Sequence, residues 1–532
     1  MKAAVRRAGG LAVGGFVALV VTAGPPDRPT AQSARWRPED RALISDFSHI
    51  EALAASPFTV FAATTHGLTI YDRQARAWRL PVTSLDGYPA TRVRTALADG
   101  VDNAVWLGTD QGWARYDARI RTWEQGFVAG GVRNLMFDAR DQASGIFVLG
   151  AFGWGFLPRG SLIPMPGRPL PPPGQRIQPL DPETALNQAP MADAMRALIF
   201  SDVRLRSYRF TAAARSPDRS DLFFGTNGAG VVRLDPATGE WETLWFGLLT
   251  VRAGAVALAP GGGVWVASAG GGRAGERRGL TWVAADLTAD TIMEGPGALG
   301  FSCVEGRRLL ASGRALWLAC ERGVEKIDPR TYRSRLFDAD DPQSLAPAPD
   351  GVWVGDARGL RVITHDERVV PVGVFGQPVL SLAAVRESLW IGTASGLAVL
   401  APGANDVAVP PELADQPALR APIRALALVR DTLVAVTADR LAWRDPATRR
   451  WTLMPARPEL GRVTALGADE GGVWIGGTNG LTFWDIPRGI FRTLQVPLDV
   501  PAPVRDLAVD PPYLWVATDS GLVRFARDAV LR

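Results

Sequence analysis

Short apolar segments alternate with turns rich in Gly, Pro and Asp along most of the chain, and no stretch after the first residues keeps a helical period. One arrangement recurs: an apolar residue, Trp, an apolar residue, Gly or Ala, Thr or Ser, two or three polar residues, then Gly-Leu. It reads Val105-Trp106-Leu107-Gly108-Thr109-Asp110-Gln111-Gly112 early, Leu389-Trp390-Ile391-Gly392-Thr393-Ala394-Ser395-Gly396-Leu397 later, and Leu514-Trp515-Val516-Ala517-Thr518-Asp519-Ser520-Gly521-Leu522 near the end. Further copies centre on Trp353 and Trp474, with looser ones at Phe61, Phe147, Phe223, Trp265, Trp317 and Val434, giving eleven units.

Each unit reads as four short strands. In the second, an apolar strand (Val93 to Ala98) precedes the Trp strand, and a Gly-led strand (to Tyr116) and an aromatic-bearing strand (Thr122 to Gln125) follow. Gly67 to Gly112 is 45 residues, Gly323 to Gly359 is 36 and Gly480 to Gly521 is 41; about 40–45 residues make one four-stranded propeller blade. The pattern predicts an all-β fold, a β-propeller with eleven four-stranded blade repeats. Eleven blades exceed what one ring usually holds, so two propellers packed together are expected. Residues 1–34 form a signal and short leader, 35–250 the N-terminal blades with an insertion at 161–207, and 251–532 a seven-bladed ring. The last unit lacks a fourth strand, and Ala34-Arg35-Trp36-Arg37 resembles one when set beside Arg76-Ala77-Trp78-Arg79. If it closes the last blade, the rings are interleaved rather than sequential; the sequence leaves both open.

The recurrent residues have physical jobs. Gly after the Trp strand permits positive φ in a tight hairpin. Asp-Pro-Ala-Thr-Gly at Asp235–Gly239, Asp-Pro-Arg-Thr at Asp328–Thr331 and Asp-Pro-Ala-Thr at Asp445–Thr448 make the next hairpin, where Asp bonds the backbone ahead and Pro presets φ. The Trp side chains fill the space between neighbouring blades, each contributing about 1.5–3 kcal/mol.

The units Asp341-Pro342-Gln343-Ser344-Leu345 with Gly351-Val352-Trp353-Val354-Gly355, and Arg92 to Asp99 with Val105 to Thr109, resemble two-component-regulator-type propeller repeats. The resemblance covers most of residues 35–532. It implies a periplasmic propeller of the kind found in sensor proteins. Large members of that family continue into an immunoglobulin-like domain, a membrane helix and a kinase, whereas this chain stops at Arg532, so signalling is expected to pass through a partner.

Charge and cysteines refine the picture. Net charge is +4, from 58 basic and 54 acidic residues. Lys2, Arg6 and Arg7 supply three of those charges and precede an apolar run from Leu11 to Ala23, the form of a secretory signal. The run is short for a membrane span, so membrane contact is expected only if it stays uncleaved as an anchor. The remaining chain is nearly neutral, which gives no footprint for nucleic acid. The expected location is periplasmic or secreted. Cys303 and Cys320, the only cysteines, lie in one unit and are compatible with a disulfide or with two buried thiols.

Repeat arrays concentrate function where the repeat breaks. Breaks occur at Ser161–Ser207, which opens Pro-rich and contains a helical stretch at about Met191 to Phe200, at Ser268–Gly279, and at Phe152-Gly153-Trp154-Gly155-Phe156. They read either as exposed loops or as one binding face, since the second-to-third-strand hairpin and the blade-to-blade crossover emerge on the same side of a ring. The candidate residues on that face are Phe152, Trp154, Arg204, Arg206, Arg273, Arg277 and Arg278. Arg stacks on aromatics and grips carboxylates or phosphates, so a protein partner or an anionic envelope ligand is expected. His49, His66 and His365 are scattered, giving neither metal spacing nor a nucleophile partner. Asp338-Ala339-Asp340-Asp341 lacks the Gly and distant Glu of a calcium loop, and no cofactor motif is present. The expectation is a non-enzymatic binding propeller in a sensing or scaffolding role. The alternative is a propeller enzyme, a lyase or glycan-acting hydrolase, with acids or histidines converging at a ring centre.

Overall fold

The computed structural model describes residues 36–187, 199–201, 206–269, 277–287, 290–295, 302–303, 305–373, 376–404 and 406–532. Pro38–Arg532 forms one compact unit. The fold is all-β. Among the described residues, eleven antiparallel sheets follow one another along the chain. The second runs Val93–Asp99, Ala104–Thr109, Gly112–Asp117, Thr122–Phe127, each strand pairing with the next.

Thr-x-x-Gly sets the central hairpin of several sheets. The Thr109 hydroxyl donates to the Gly112 carbonyl at 3.1 Å and accepts from the Gly112 N–H at 3.1 Å. Thr393 and Thr518 likewise donate to Gly396 and Gly521, both at 2.8 Å. Gly is required there for space as well as for φ: a Cβ on Gly521 (φ 135°) would meet the Ile44 carbonyl at 2.2 Å. In the outer hairpins the Asp235 and Asp445 carboxylates accept from Ala237 N–H at 2.8 Å and Ala447 N–H at 2.9 Å. The repeat Trp side chains are buried at Trp106, Trp265, Trp317, Trp390, Trp474 and Trp515. Trp106 packs with Val132, Leu135 and Ile146 of the following sheet, and Trp317 with Val352 and Val354 of its successor.

The innermost strands show how the sheets are grouped. Ala253–Leu258, Gly306–Ser312, Ser344–Ala348, Val379–Val385, Ala425–Val429, Val463–Asp469 and Val504–Asp510 each pack on the next, and the last returns to the first. These seven sheets form a closed circuit. Its eleventh-repeat sheet takes its outer strand from the N-terminus: Arg41–Ile44 pairs with Gly521–Ala526, Arg41 opposite Phe525 and Ile44 opposite Leu522. The closing strand is therefore not Ala34–Arg37. Ala34 and Arg35 lie outside the described residues, and Trp36 and Arg37 are not in a strand. The apolar run Ala42-Leu43-Ile44 decides the matter, since all three side chains are buried. Arg41 fixes the position by donating to the Leu498 carbonyl at 2.7 Å and the Leu85 carbonyl at 2.6 Å.

The other four sheets begin with Ile50–Ala55, Val93–Asp99, Asn134–Asp138 and Ser207–Arg215, and Ser207–Arg215 packs back on Ile50–Ala55. The insertion wedges between the third and fourth of them. Arg176–Ile177 adds to the inner edge of Asn134–Asp138, Leu180 bridges Ala213, and helix Pro182–Leu186 buries Ala185 and Leu186 against Phe200, Phe210 and Phe224. Asp181 caps this helix, accepting from Thr184 N–H at 2.9 Å. Of the helix expected at about Met191 to Phe200, residues 191–198 lie outside the described residues, while Ile199–Ser201 is a strand paired with Ser207–Arg209. A second short helix, Arg527–Leu531, ends the chain. No described helix is long and apolar enough to cross a membrane; the run Leu11 to Ala23 lies outside the described residues.

The chain crosses between the two groups twice, and the crossings pair: Asp46 bridges Gly247, and Phe47 stacks on Phe246 at 5.8 Å. Gly247 (φ 104°) is dictated by this contact, because a Cβ there would meet the Ser45 carbonyl at 2.5 Å.

Candidate binding surfaces

In every sheet the second-to-third-strand hairpin lies at the end where the innermost strand begins, so hairpin and crossover share one side. Gly150–Gly153 is such a hairpin, and it presents Phe152 at 78% exposure. Trp154, one strand residue further, is half-buried against Met136, Phe147 and Phe156, with Leu170 of the insertion over them. Arg168 lies 3.8 Å above the Phe156 ring. This stretch of the insertion covers a sheet face that would otherwise lack a neighbour.

Phe152 does not stand alone. Phe127 is 78% exposed, Ile163 75% and Leu162 60%. The Leu162 carbonyl lies against Gly126, and Val128 lies against Gly150, so the three segments carrying these side chains adjoin. Sequence reasoning missed Phe127, Leu162 and Ile163. Their signal was present as an apolar pair inside a Pro- and Gly-rich turn and a Phe at the end of a solvent-facing strand.

The arginine candidates separate. Arg277 lies 4.0 Å above the indole of Trp245 and donates to the Gly228 carbonyl at 3.4 Å. It belongs to the seven-sheet circuit, whereas Gly228 belongs to the fourth sheet of the other group, so Arg277 clasps the two together. Arg206 lies 5.9 Å from the Tyr208 ring, next to the strand that starts the fourth sheet. Arg278 begins strand Arg278–Val283, opposite Gly295. Arg204 and Arg273 lie outside the described residues.

Cys303 and Cys320 form a disulfide with Cα atoms 5.7 Å apart. The Glu325 carboxylate, buried beneath them, accepts from Ser302 N–H at 2.9 Å and Cys303 N–H at 2.9 Å. In the Asp338–Asp341 stretch, Asp340 pairs with Arg358 at 3.0 Å and Asp341 with Arg307. Among the described residues no three His, Cys, Asp or Glu side chains are placed to hold a metal ion. The Nδ1 of His49 lies 3.2 Å from the Ser48 hydroxyl, and burial, partly opposed by Asp46, lowers the pKa of His66.

At the centre of the four-sheet group is a cavity of about 540 Å³, lined by residues such as Leu53, Ala98, Ile177, Leu180 and Ala213. Arg215 and Arg219 are its ionisable members; no carboxylate or histidine lines it among the described residues.

No family model matches the chain, and no curated protein matches it. Solved propeller structures do. PorZ, a bacterial surface component of the type-IX secretion system of Porphyromonas gingivalis, is 10% identical, with 92% of this chain and 87% of that chain covered and a TM-score of 0.51. The extracellular domain of the hybrid two component system BT4673 from B. thetaiotaomicron is 13% identical over 90% of this chain and 69% of that chain, with a TM-score of 0.43. Virginiamycin B lyase from Staphylococcus aureus is 15% identical over 52% of this chain and 94% of that chain, with a TM-score of 0.40. This chain is thus similar in fold to PorZ.

Proposed function

We propose that the chain is an exported, non-enzymatic β-propeller protein that binds a protein partner in a sensing or scaffolding role. The observation that carries this reading is the adjoining exposed set Phe127, Phe152, Leu162 and Ile163. Contiguous apolar side chains on a soluble surface mark an interaction site, and aromatic anchors supply most of the energy at such sites. The propeller fold supports the reading at a coarse level, since rigid sheets present loops without themselves moving. The signal-like N-terminus supports export. Photo-crosslinking tests it: a photoreactive phenylalanine analogue at Phe152 should give a discrete adduct in the source envelope, and the same analogue at Phe58, exposed elsewhere, should not. Equal patterns from both positions would remove the patch from consideration.

A further inference from the structure

The mouth of the seven-sheet circuit is chemically unlike the rest of the molecule. Where the innermost strands begin, a cavity of about 390 Å³ is lined by Arg307, Arg308, Arg424, Arg462 and Arg505, with Glu305 as its one carboxylate among the described residues. That volume lies in the range of small-molecule sites, roughly 300–1,000 Å³. Among the described residues the lining has no aromatic side chain on which a sugar or base could stack.

A recurring backbone device builds this arc. The ladder shifts register around Arg505, between Val504 and Asp506, and around Arg307, between Gly306 and Arg308. Such bulges redirect a side chain away from the pleat. Gly254 occupies the same shift in the sheet between those two, and a Cβ there would meet the Gly306 carbonyl at 2.3 Å. Glycine there lets the two innermost strands approach closely beneath the mouth. Arg424 and Arg462 precede the innermost strands Ala425–Val429 and Val463–Asp469 of two neighbouring sheets.

The charges are unevenly compensated. Arg307 pairs with Asp341 and Arg505 with Asp519. Arg308 spans the axis: its Nη2 donates to the Thr464 carbonyl at 2.9 Å, and its Nη1 stands 3.9 Å from Asp506. Asp506 is half-buried, and its desolvation pushes its pKa up and weakens it as a counter-charge. The side chains of Arg424 and Arg462 are exposed and meet no acidic partner among the described residues.

We propose that this mouth binds a small polyanion, a molecule carrying two or more carboxylate or phosphate groups, gripped by Arg424 and Arg462 with Arg308 as its floor. Guanidinium forks match these oxyanions bidentately. The site lies apart from the apolar patch and stands independently of the partner-binding reading.

Calorimetric titration of the full chain with pyrophosphate, citrate, inorganic phosphate and neutral glycerol tests it. Expected is saturable binding of pyrophosphate and citrate, weaker binding of phosphate, none of glycerol, and affinity that falls as salt is added. R424A/R462A should weaken both polyanions at least tenfold with an unchanged ligand-free Tm. R424K/R462K, which keeps charge but loses the fork, should fall between. Absence of saturable binding, equal affinity in wild type and R424A/R462A, or sedimentation with phosphatidylglycerol vesicles without binding of the free anions would overturn it. Crosslinking from Phe152 in the R424A/R462A background separates the two proposals, because it should be undiminished.

Discussion

Arg277 stacks on Trp245 at 4.0 Å, and this contact joins the residue before strand Arg278–Val283 of the seven-sheet circuit to the segment that follows the last strand of the four-sheet group. The pair sits on an already packed waist: Trp78 donates to the Trp245 carbonyl at 3.1 Å and stacks on Phe246 at 5.3 Å. A cation over an indole contributes about 0.5–2 kcal/mol depending on desolvation. R277A should therefore lower unfolding free energy by about that amount, as read by urea titration, while R277K should recover part of it. A loss of partner crosslinking in R277A at unchanged stability would instead make Arg277 a contact residue.

The closing strand offers a second prediction. Ile44 is buried in the cluster holding Phe47, Phe246, Trp515 and Leu522, so I44A should cost about 2–5 kcal/mol. G521A reaches the same strand from its partner, because the new Cβ would strike the Ile44 carbonyl. Hydrogen exchange should show both substitutions exposing Val504–Asp510 and Ala253–Leu258, the sheets on either side of the seam. Protection lost only at Ile50–Ala55 would place the closure elsewhere.

Acid should loosen two seams of the four-sheet group, between its second and third sheets and between its fourth and first. Burial of Asp99 works against its charge, but hydrogen bonds from Arg159 and Trp106 prevail and lower its pKa. Arg159 lies 2.7 Å away, and the Trp106 indole donates at 3.2 Å. Asp221 is lowered in the same way, burial being outweighed by Arg73 and Arg233. A carboxylate with a depressed folded pKa stabilises the fold fully above its unfolded value, about 3.9, and that contribution fades as pH falls through the folded value. Tm should hold steady down to about pH 5 and then drop, with D99N showing a shallower drop. Identical pH profiles for D99N and wild type would contradict this origin.

The disulfide closes a loop of 17 residues in sequence separation. A loop of that size constrains the unfolded chain by about 3 kcal/mol. C303S/C320S should lose about that much stability, and alkylation of unfolded, unreduced wild type should label no thiol.

Much of the fold was legible because it is repeated. A Trp, a Thr and a Gly at fixed offsets locate the middle hairpin of a sheet, and neighbouring copies of the signal support one another. The closing strand was harder. Trp36-Arg37 imitates the aromatic outer strands, yet Ala42-Leu43-Ile44 supplies the burial, and only pairing with Leu522–Phe525 separates them. The insertion read as an exposed loop or binding face; Leu162 and Ile163 at its start are exposed, while Leu180, Ala185 and Leu186 further along pack on the fourth sheet. Arg277 looked free in sequence because its partners, Gly228 and Trp245, are 49 and 32 residues away. The Arg arc was invisible for the same reason: its members come from four repeats and meet only at the circuit's axis.

The central claim, that a protein partner docks on the apolar patch, is tested most directly by recovery from the source envelope with F127S/F152S/I163S beside wild type. These side chains are exposed, so exchange should change Tm little. The account predicts one specific partner, present in near-stoichiometric amount with wild type and reduced at least tenfold with the triple variant. The same partner recovered in equal amount by both proteins, at matched folding by circular dichroism, would contradict it.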